Sequence, residues 1–143
     1  MLAENAPTPT DSTRTLPHLA KKSAKRVLIV DDEWLVRWSV GEALKARGFD
    51  VEEAGDAASA MEMFDADCGL VLLDLHLPDA MDLRVLSFIR RKSSSVPVIV
   101  MTAFATREVA EDVAALGASI VTKPFDLDDL THAVERALAT RVY

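Results

Sequence analysis

From Lys25 onward, apolar runs of four or five residues alternate with stretches in which apolar side chains return every three or four positions. The first pattern predicts buried strands and the second amphipathic helices. A strand is expected over 26–31, carrying Val27, Leu28, Ile29 and Val30. A helix follows over about 33–47, with Val36, Val40, Ala43 and Leu44 on one side and Gly48 as its stop. The next strand, 50–54, holds Glu52 and Glu53, which marks it as an edge strand. It leads to a helix over 56–66 with Ala57, Ala60, Met61 and Phe64 on one face. A third strand, 69–74, passes through Pro78 to a helix over 81–92. That helix presents Leu83, Leu86, Phe88 and Ile89 and closes on Arg90, Arg91 and Lys92, cations suited to a helix C-terminus. A strand over 97–102, a helix over 106–116 ended by Gly117, and a strand over 119–123 come next. The last helix starts at Asp126, with Leu127, Leu130, Val134 and Leu138 inward.

Five strands alternating with five helices, joined by right-handed crossovers, predict a doubly wound α/β fold: a parallel sheet between two helical layers. The apolar runs before Asp31, Asp74 and Lys123 read as strands buried on both faces, the habit of parallel sheets. Residues 1–24 contain Pro7, Pro9 and Pro17 among many Thr, Ser and Ala and show no periodicity. They are expected to be a disordered leader, leaving residues 25–143 as one domain. A chain of 143 residues has room for one full core and no second one.

Half the residues are hydrophobic and only 6% aromatic, which fits an aliphatic core. No apolar stretch approaches the roughly 20 residues that cross a bilayer, and Met1–Ala24 has no charged start followed by an apolar core, so neither a membrane span nor a signal peptide is expected. The single cysteine, Cys68, has no internal partner, and the simple reading is a reduced cytoplasmic protein. Three widely spaced histidines, His18, His76 and His132, argue against a zinc site. Three bases against two acids give residues 1–24 a net +1, so the body carries −8 of the overall −7. An acidic body without a basic stripe argues against direct nucleic-acid binding.

The chemistry gathers where strands end. Asp31 and Asp32 follow the first, Asp74 closes the third, and Lys123 closes the fifth. In a parallel sheet these ends share one edge, where ligands bind. Two like charges about 5 Å apart repel by roughly 3 kcal/mol at an effective dielectric near 20. Three converging carboxylates therefore call for a divalent cation, an ammonium, or both. The alternative, that each acid only caps a following helix, suits one Asp better than this full set.

Four segments together resemble a known family: Val-Leu-Ile-Val-Asp31-Asp32-Glu33, Leu-Asp74-Leu-His-Leu-Pro78, Val-Ile-Val-Met-Thr102-Ala and Thr-Lys123-Pro124-Phe125. They are similar to the receiver (CheY-like) domain of two-component response regulators over about Arg26 to Ala139. Arg37-Trp38-Ser39 and Met101-Thr102-Ala103-Phe104 look most like receivers of the nitrogen-regulation (NtrC) type. The resemblance implies the flavodoxin-like strand order 2-1-3-4-5. It implies Asp74 as phosphoacceptor, with Asp32, the Asp74 carboxylate and the His76 backbone carbonyl binding Mg²⁺ and Asp31 binding it through water. Thr102 and Lys123 would contact phosphoryl oxygens, and the Lys123-Pro124 bond would be cis. Oxygen ligands suit Mg²⁺, and phosphoryl transfer needs positioning and charge neutralisation more than covalent work from a protein.

Single residues carry plainer readings too. Thr102 alone is an ordinary strand end, and Lys123 alone a solvated charge. The His76 side chain is expected to face solvent. Trp34 and Trp38, four apart on the first helix, are candidates for a partner-binding patch. Packing is the safer reading for Trp38 and Trp34 is open, while Phe104 divides between packing and a role in gating Asp74 or contacting a partner. Two positions depart from the family: Ile120 stands where an aromatic is usual three before the lysine, and Asp82 where glycine is usual. Ile120 has no hydroxyl and puts the usual inward swing in question; Asp82 brings an extra acid near the pocket.

The leading expectation is a phosphorylation-switched signalling module that catalyses only its own phosphorylation and dephosphorylation. Its donor would be a sensor histidine kinase, a phosphotransfer protein or a small phosphodonor, and its readout a downstream effector. Receivers of this type belong either alone or within transcriptional regulators, and often dimerise through the fourth helix, fifth strand and fifth helix; both points stay open here. The competing readings are a Mg²⁺-dependent aspartyl phosphohydrolase and a scaffold that binds without phosphorylation. The hydrolase usually needs a second acid where this chain has His76, and the complete acid-lysine set argues against the scaffold.

Overall fold

The computed structural model describes residues 25–139, so the expected leader lies outside the described residues. The strands are β1 (Arg26–Val30), β2 (Asp50–Ala54), β3 (Leu70–Asp74), β4 (Val98–Thr102) and β5 (Ser119–Thr122). The helices are α1 (Trp34–Lys45), α2 (Ala57–Met63), α3 (Arg84–Lys92), α4 (Arg107–Ala115) and α5 (Leu127–Ala139). All strand pairs are parallel, in the order β2-β1-β3-β4-β5. The doubly wound fold and its strand order are as expected.

Strand periodicity of two divides the core into two layers. Leu28, Val30, Val71, Leu73, Val98 and Val100 face one way, onto Ala57, Ala60, Val85, Leu86, Ile89 and Val113 of α2, α3 and α4. Val27, Ile29, Leu70, Leu72, Ile99 and Met101 face the other way, onto Val40 and Leu44 of α1 and Leu130 and Val134 of α5. Every residue of β3 and β4 is buried, which explains their uninterrupted apolar runs. The register sets Val30 beside Leu73 and Asp74 beside Met101, so the ends of β1, β3 and β4 reach one edge together.

β5 corrects one expectation. Ser119 and Thr122 are exposed and only Ile120 and Val121 are half-buried, because β5 is an edge of the sheet with a partner on one side only. Ile120 packs on the α2–α4 layer and Val121 on the α1–α5 layer. β2 is the other edge, as its two glutamates suggested. Glu52 pairs with Arg26 and Glu53 with Arg37, which covers that edge with ion pairs.

Two helices are shorter than their periodicity. Phe64 turns extended and buries itself, ending α2 early. α3 begins only at Arg84, because Leu77 and Ala80 exchange backbone hydrogen bonds of 3.1 and 3.2 Å in a tight turn. Asp82 then accepts the Arg84 amide at 2.9 Å. Gly48 and Gly117 end α1 and α4 with φ of 91° and 71°, a region where a side chain would be strained.

Candidate functional site

Asp31 follows β1 and is fully buried; its amide donates to Ala54 of the neighbouring strand. Its Oδ1 accepts the Glu33 amide at 2.9 Å, and its Oδ2 meets Lys123 Nζ at 2.7 Å. Asp74, at the end of β3, is 4% exposed. Its Oδ1 accepts the His76 amide at 2.9 Å and its Oδ2 lies 3.3 Å from the same ammonium. Asp32 is exposed beside them. Carboxylate oxygens of Asp31, Asp32 and Asp74 all lie within 4.8 Å of one another. Lys123 also reaches Glu33 at 3.6 Å, and its amide donates to the Thr102 carbonyl at 2.9 Å.

Burial pushes the Asp74 carboxyl above its ordinary range, and the Asp31 charge adds to the rise. The His76 amide and the Lys123 ammonium oppose it without cancelling it. Burial by itself would lower the Lys123 pKa, but hydrogen bonds and charges from Asp31 and Asp74 outweigh it and hold it raised. The lysine is therefore a fixed cation at neutral pH rather than the solvated charge its type suggests.

Four acids (Asp31, Asp32, Asp74 and Glu33) around one ammonium leave the pocket net negative. Every side-chain donor in the three-acid set is a carboxylate oxygen, which fits a hard divalent ion such as Mg²⁺ and not a soft one. The residues present thus fit the metal that the sequence implies.

Thr102 is 1% exposed, and its hydroxyl accepts the Phe104 amide at 3.0 Å. The Lys123-Pro124 bond is cis, as expected. The His76 ring is not free in solvent: it is half-buried and meets the Phe104 ring in a tilted contact, centroids 5.0 Å apart at 58°. The pair sits at a cleft of about 380 Å³ between the β3–α3 loop and α4, which Met81, Leu83, Thr102 and Val109 also line. Phe104 is 63% exposed, so packing against a core is not its role. Asp82 is not part of the three-carboxylate cluster; its carboxylate accepts the Arg84 amide and meets the Arg84 guanidinium at 3.5 Å. Trp38 corrects its packing reading. It is 53% exposed and Trp34 65%, since the buried side of α1 runs through Val40, Gly41 and Leu44.

Sequence reasoning missed two residues. Arg37 donates to the Asp31 carbonyl at 2.6 Å and to Glu53 at 3.1 Å, tying the acidic loop to β2. A Cβ on Gly55 would lie 3.2 Å from its guanidinium, so glycine leaves room for it. Asp79 accepts the amides of Ala57 and Ala58 at 2.7 and 3.0 Å. Asp after Pro78 signalled only a turn; no local pattern signals a partner on another helix. Beside the site, an apolar groove of about 490 Å³ runs between α1 and α5, lined by Leu35, Val36, Val40, Phe125 and Leu127.

A strand-end cluster of this kind on a 2-1-3-4-5 sheet defines a class. The family model for the response regulator receiver domain matches residues 27–135, and the chain belongs to that family. It is 39% identical over 115 residues to the regulatory protein AtoC of Escherichia coli, covering 79% of this chain and 25% of AtoC. To NtrC of Proteus hauseri it is 32% identical over 116 residues, covering 78% and 24%. The crystal structure of the NtrX receiver domain from Brucella abortus matches with a TM-score of 0.72 at 33% identity, covering 80% of this chain and 98% of that one. The chain thus spans about a quarter of AtoC and NtrC. The resemblance to receivers of the nitrogen-regulation type holds. Receivers are switches of phosphorylation-type signalling rather than conventional enzymes. They generally bind Mg²⁺ and interact with kinases and effector domains.

Proposed function

We propose that residues 25–143 are a receiver that takes one phosphoryl group on Asp74 and thereby changes the surface it offers a partner. The observation that carries this reading is the ammonium of Lys123, shared by the buried carboxylates of Asp31 and Asp74 at 2.7 and 3.3 Å. An Asp74 oxygen attacks phosphorus, the phosphoryl group moves in line, and its bond to the donor's nitrogen or oxygen breaks. The raised pKa of Asp74 makes its carboxylate the more basic nucleophile. Lys123 offsets charge on one equatorial oxygen, and the Thr102 hydroxyl donates to another after leaving the Phe104 amide. Asp31, Asp32, Asp74 and the His76 carbonyl would hold Mg²⁺, which when bound supplies the remaining charge neutralisation.

The donor is a sensor histidine kinase, a phosphotransfer protein or a small phosphodonor in the cytoplasm. Trp34, Leu35 and Trp38 form an exposed apolar patch on α1 beside the acids, a surface suited to a protein partner. The readout is an effector, which for a receiver of this type could be the remainder of a transcriptional regulator. Among the described residues no helix is long and apolar enough to cross a membrane. The test is incubation with acetyl phosphate and Mg²⁺ followed by mass spectrometry. One phosphate per chain is expected, on Asp74, absent from Asp74→Ala and from samples with EDTA. Phosphate on another residue, or rapid multiple turnover of the donor, overturns the reading.

A further inference from the structure

The β3–α3 loop does more than carry Asp74. Three residues past His76 it reaches a helix that belongs to a different part of the chain. Asp79 places Oδ1 on the Ala57 amide at 2.7 Å and Oδ2 on the Ala58 amide at 3.0 Å, the first two amides of α2. The third, Ser59, is already taken by the N-cap of the helix itself, Asp56, at 2.7 Å. The helix's own cap leaves its first two amides to be satisfied from elsewhere. Because Asp79 supplies both acceptors from 21 and 22 residues away, the same two bonds also tie the β3–α3 loop to α2.

The clamp acts on a rigid lever. Leu77 and Ala80 close their turn with two backbone bonds and are both buried, so Pro78 and Asp79 form its exposed tip. On the other side, His76 is held through its amide by Asp74 Oδ1. The His76–Leu77 backbone therefore lies between two carboxylate anchors. We propose that Asp79 is a positioning residue for the acidic site, clamping the turn at 77–80 to α2 so that the His76 backbone stays in place to share a divalent ion with the carboxylates. This rests on the receiver reading above. The two amides also hold the Asp79 carboxyl below its ordinary range, so the clamp is ionised at neutral pH.

Calorimetric titration of Mg²⁺ into the full chain tests it, with wild type, Asp79→Ala, Asp79→Asn and Asp56→Ala compared. Asp56→Ala strips a cap from the same helix without touching the loop, and it is expected to bind Mg²⁺ as wild type does. Asp79→Ala is expected to lose affinity on the order of tenfold, the scale of losing a residue that orients a metal ligand. Asp79→Asn keeps one acceptor oxygen and should fall between; it decides the matter if the alanine variant does not fold. Amide NMR spectra without metal confirm that each variant retains the fold. Equal losses in Asp56→Ala and Asp79→Ala, or wild-type affinity in both Asp79 variants, overturn the proposal and leave Asp79 a helix cap. A wild-type chain with no Mg²⁺ affinity overturns the receiver reading itself, and the proposal with it.

Discussion

Asp74 meets two opposed demands. It must be ionised to act as a nucleophile, yet it is buried beside Asp31 with one ammonium between them. Its raised pKa has a direct consequence for stability. A carboxyl whose folded pKa exceeds its unfolded one favours the fold when protonated, and it takes stability away as pH rises from the ordinary carboxylate range through the raised value. Asp74→Asn removes that loss. At about pH 7 the variant should be more stable than wild type by about 1 kcal/mol, because a neutral amide carries neither the burial cost of the charge nor its repulsion from Asp31. The difference should shrink as pH falls to about 4, where wild-type Asp74 is protonated more in the fold than in the unfolded chain. Urea denaturation at the two pH values measures it, and a variant less stable at neutral pH would contradict the account.

Arg90 shows how an element can be misread from its composition. The cations ending α3 suggest a match to the helix dipole, and for Arg91 and Lys92, both exposed, nothing more is needed. Arg90 instead turns inward and donates to four carbonyls: Leu116 at 2.6 Å, Val96 at 2.8 Å, and Ser93 and Gly117 at 3.2 Å each. One guanidinium thus joins the end of α3, the entry to β4 and the end of α4. Arg90→Ala leaves those carbonyls without this donor and should cost about 2–3 kcal/mol. Arg90→Lys should recover less than half of that, because an ammonium lacks the planar fork that spans several acceptors. Denaturant midpoints with unchanged slopes would check both values. A full rescue by lysine would show that charge, not fork geometry, holds the three segments.

Taken whole, the molecule spends core stability on holding an anionic edge together, and a divalent ion should return some of it. Mg²⁺ at about 100 times its dissociation constant should stabilise the fold by about 2.7 kcal/mol, and Asp32→Ala should lose most of that gain while folding normally, since Asp32 is exposed. Thermal denaturation with and without the ion measures both; equal stabilisation of the two chains would place the ion elsewhere. Much of this architecture was legible along the chain. Short apolar runs and a periodicity near 3.6 located the five strands and five helices of the described residues, and four short segments pointed to the acids and the lysine, because those signals depend on neighbours a few residues apart. Helix ends at Phe64 and Arg84 were not legible, nor was the exposure of β5 and Trp38, because burial depends on which elements end up outermost. Arg37 on Asp31 and Asp79 on α2 were hidden for the same reason: a side chain's partner six or twenty-two positions away is chosen by packing. The order of residues alone determined which groups reach the sheet's edge. Only the folded chain decided which of them touch, since contact distances of about 3 Å depend on how whole layers seat against one another.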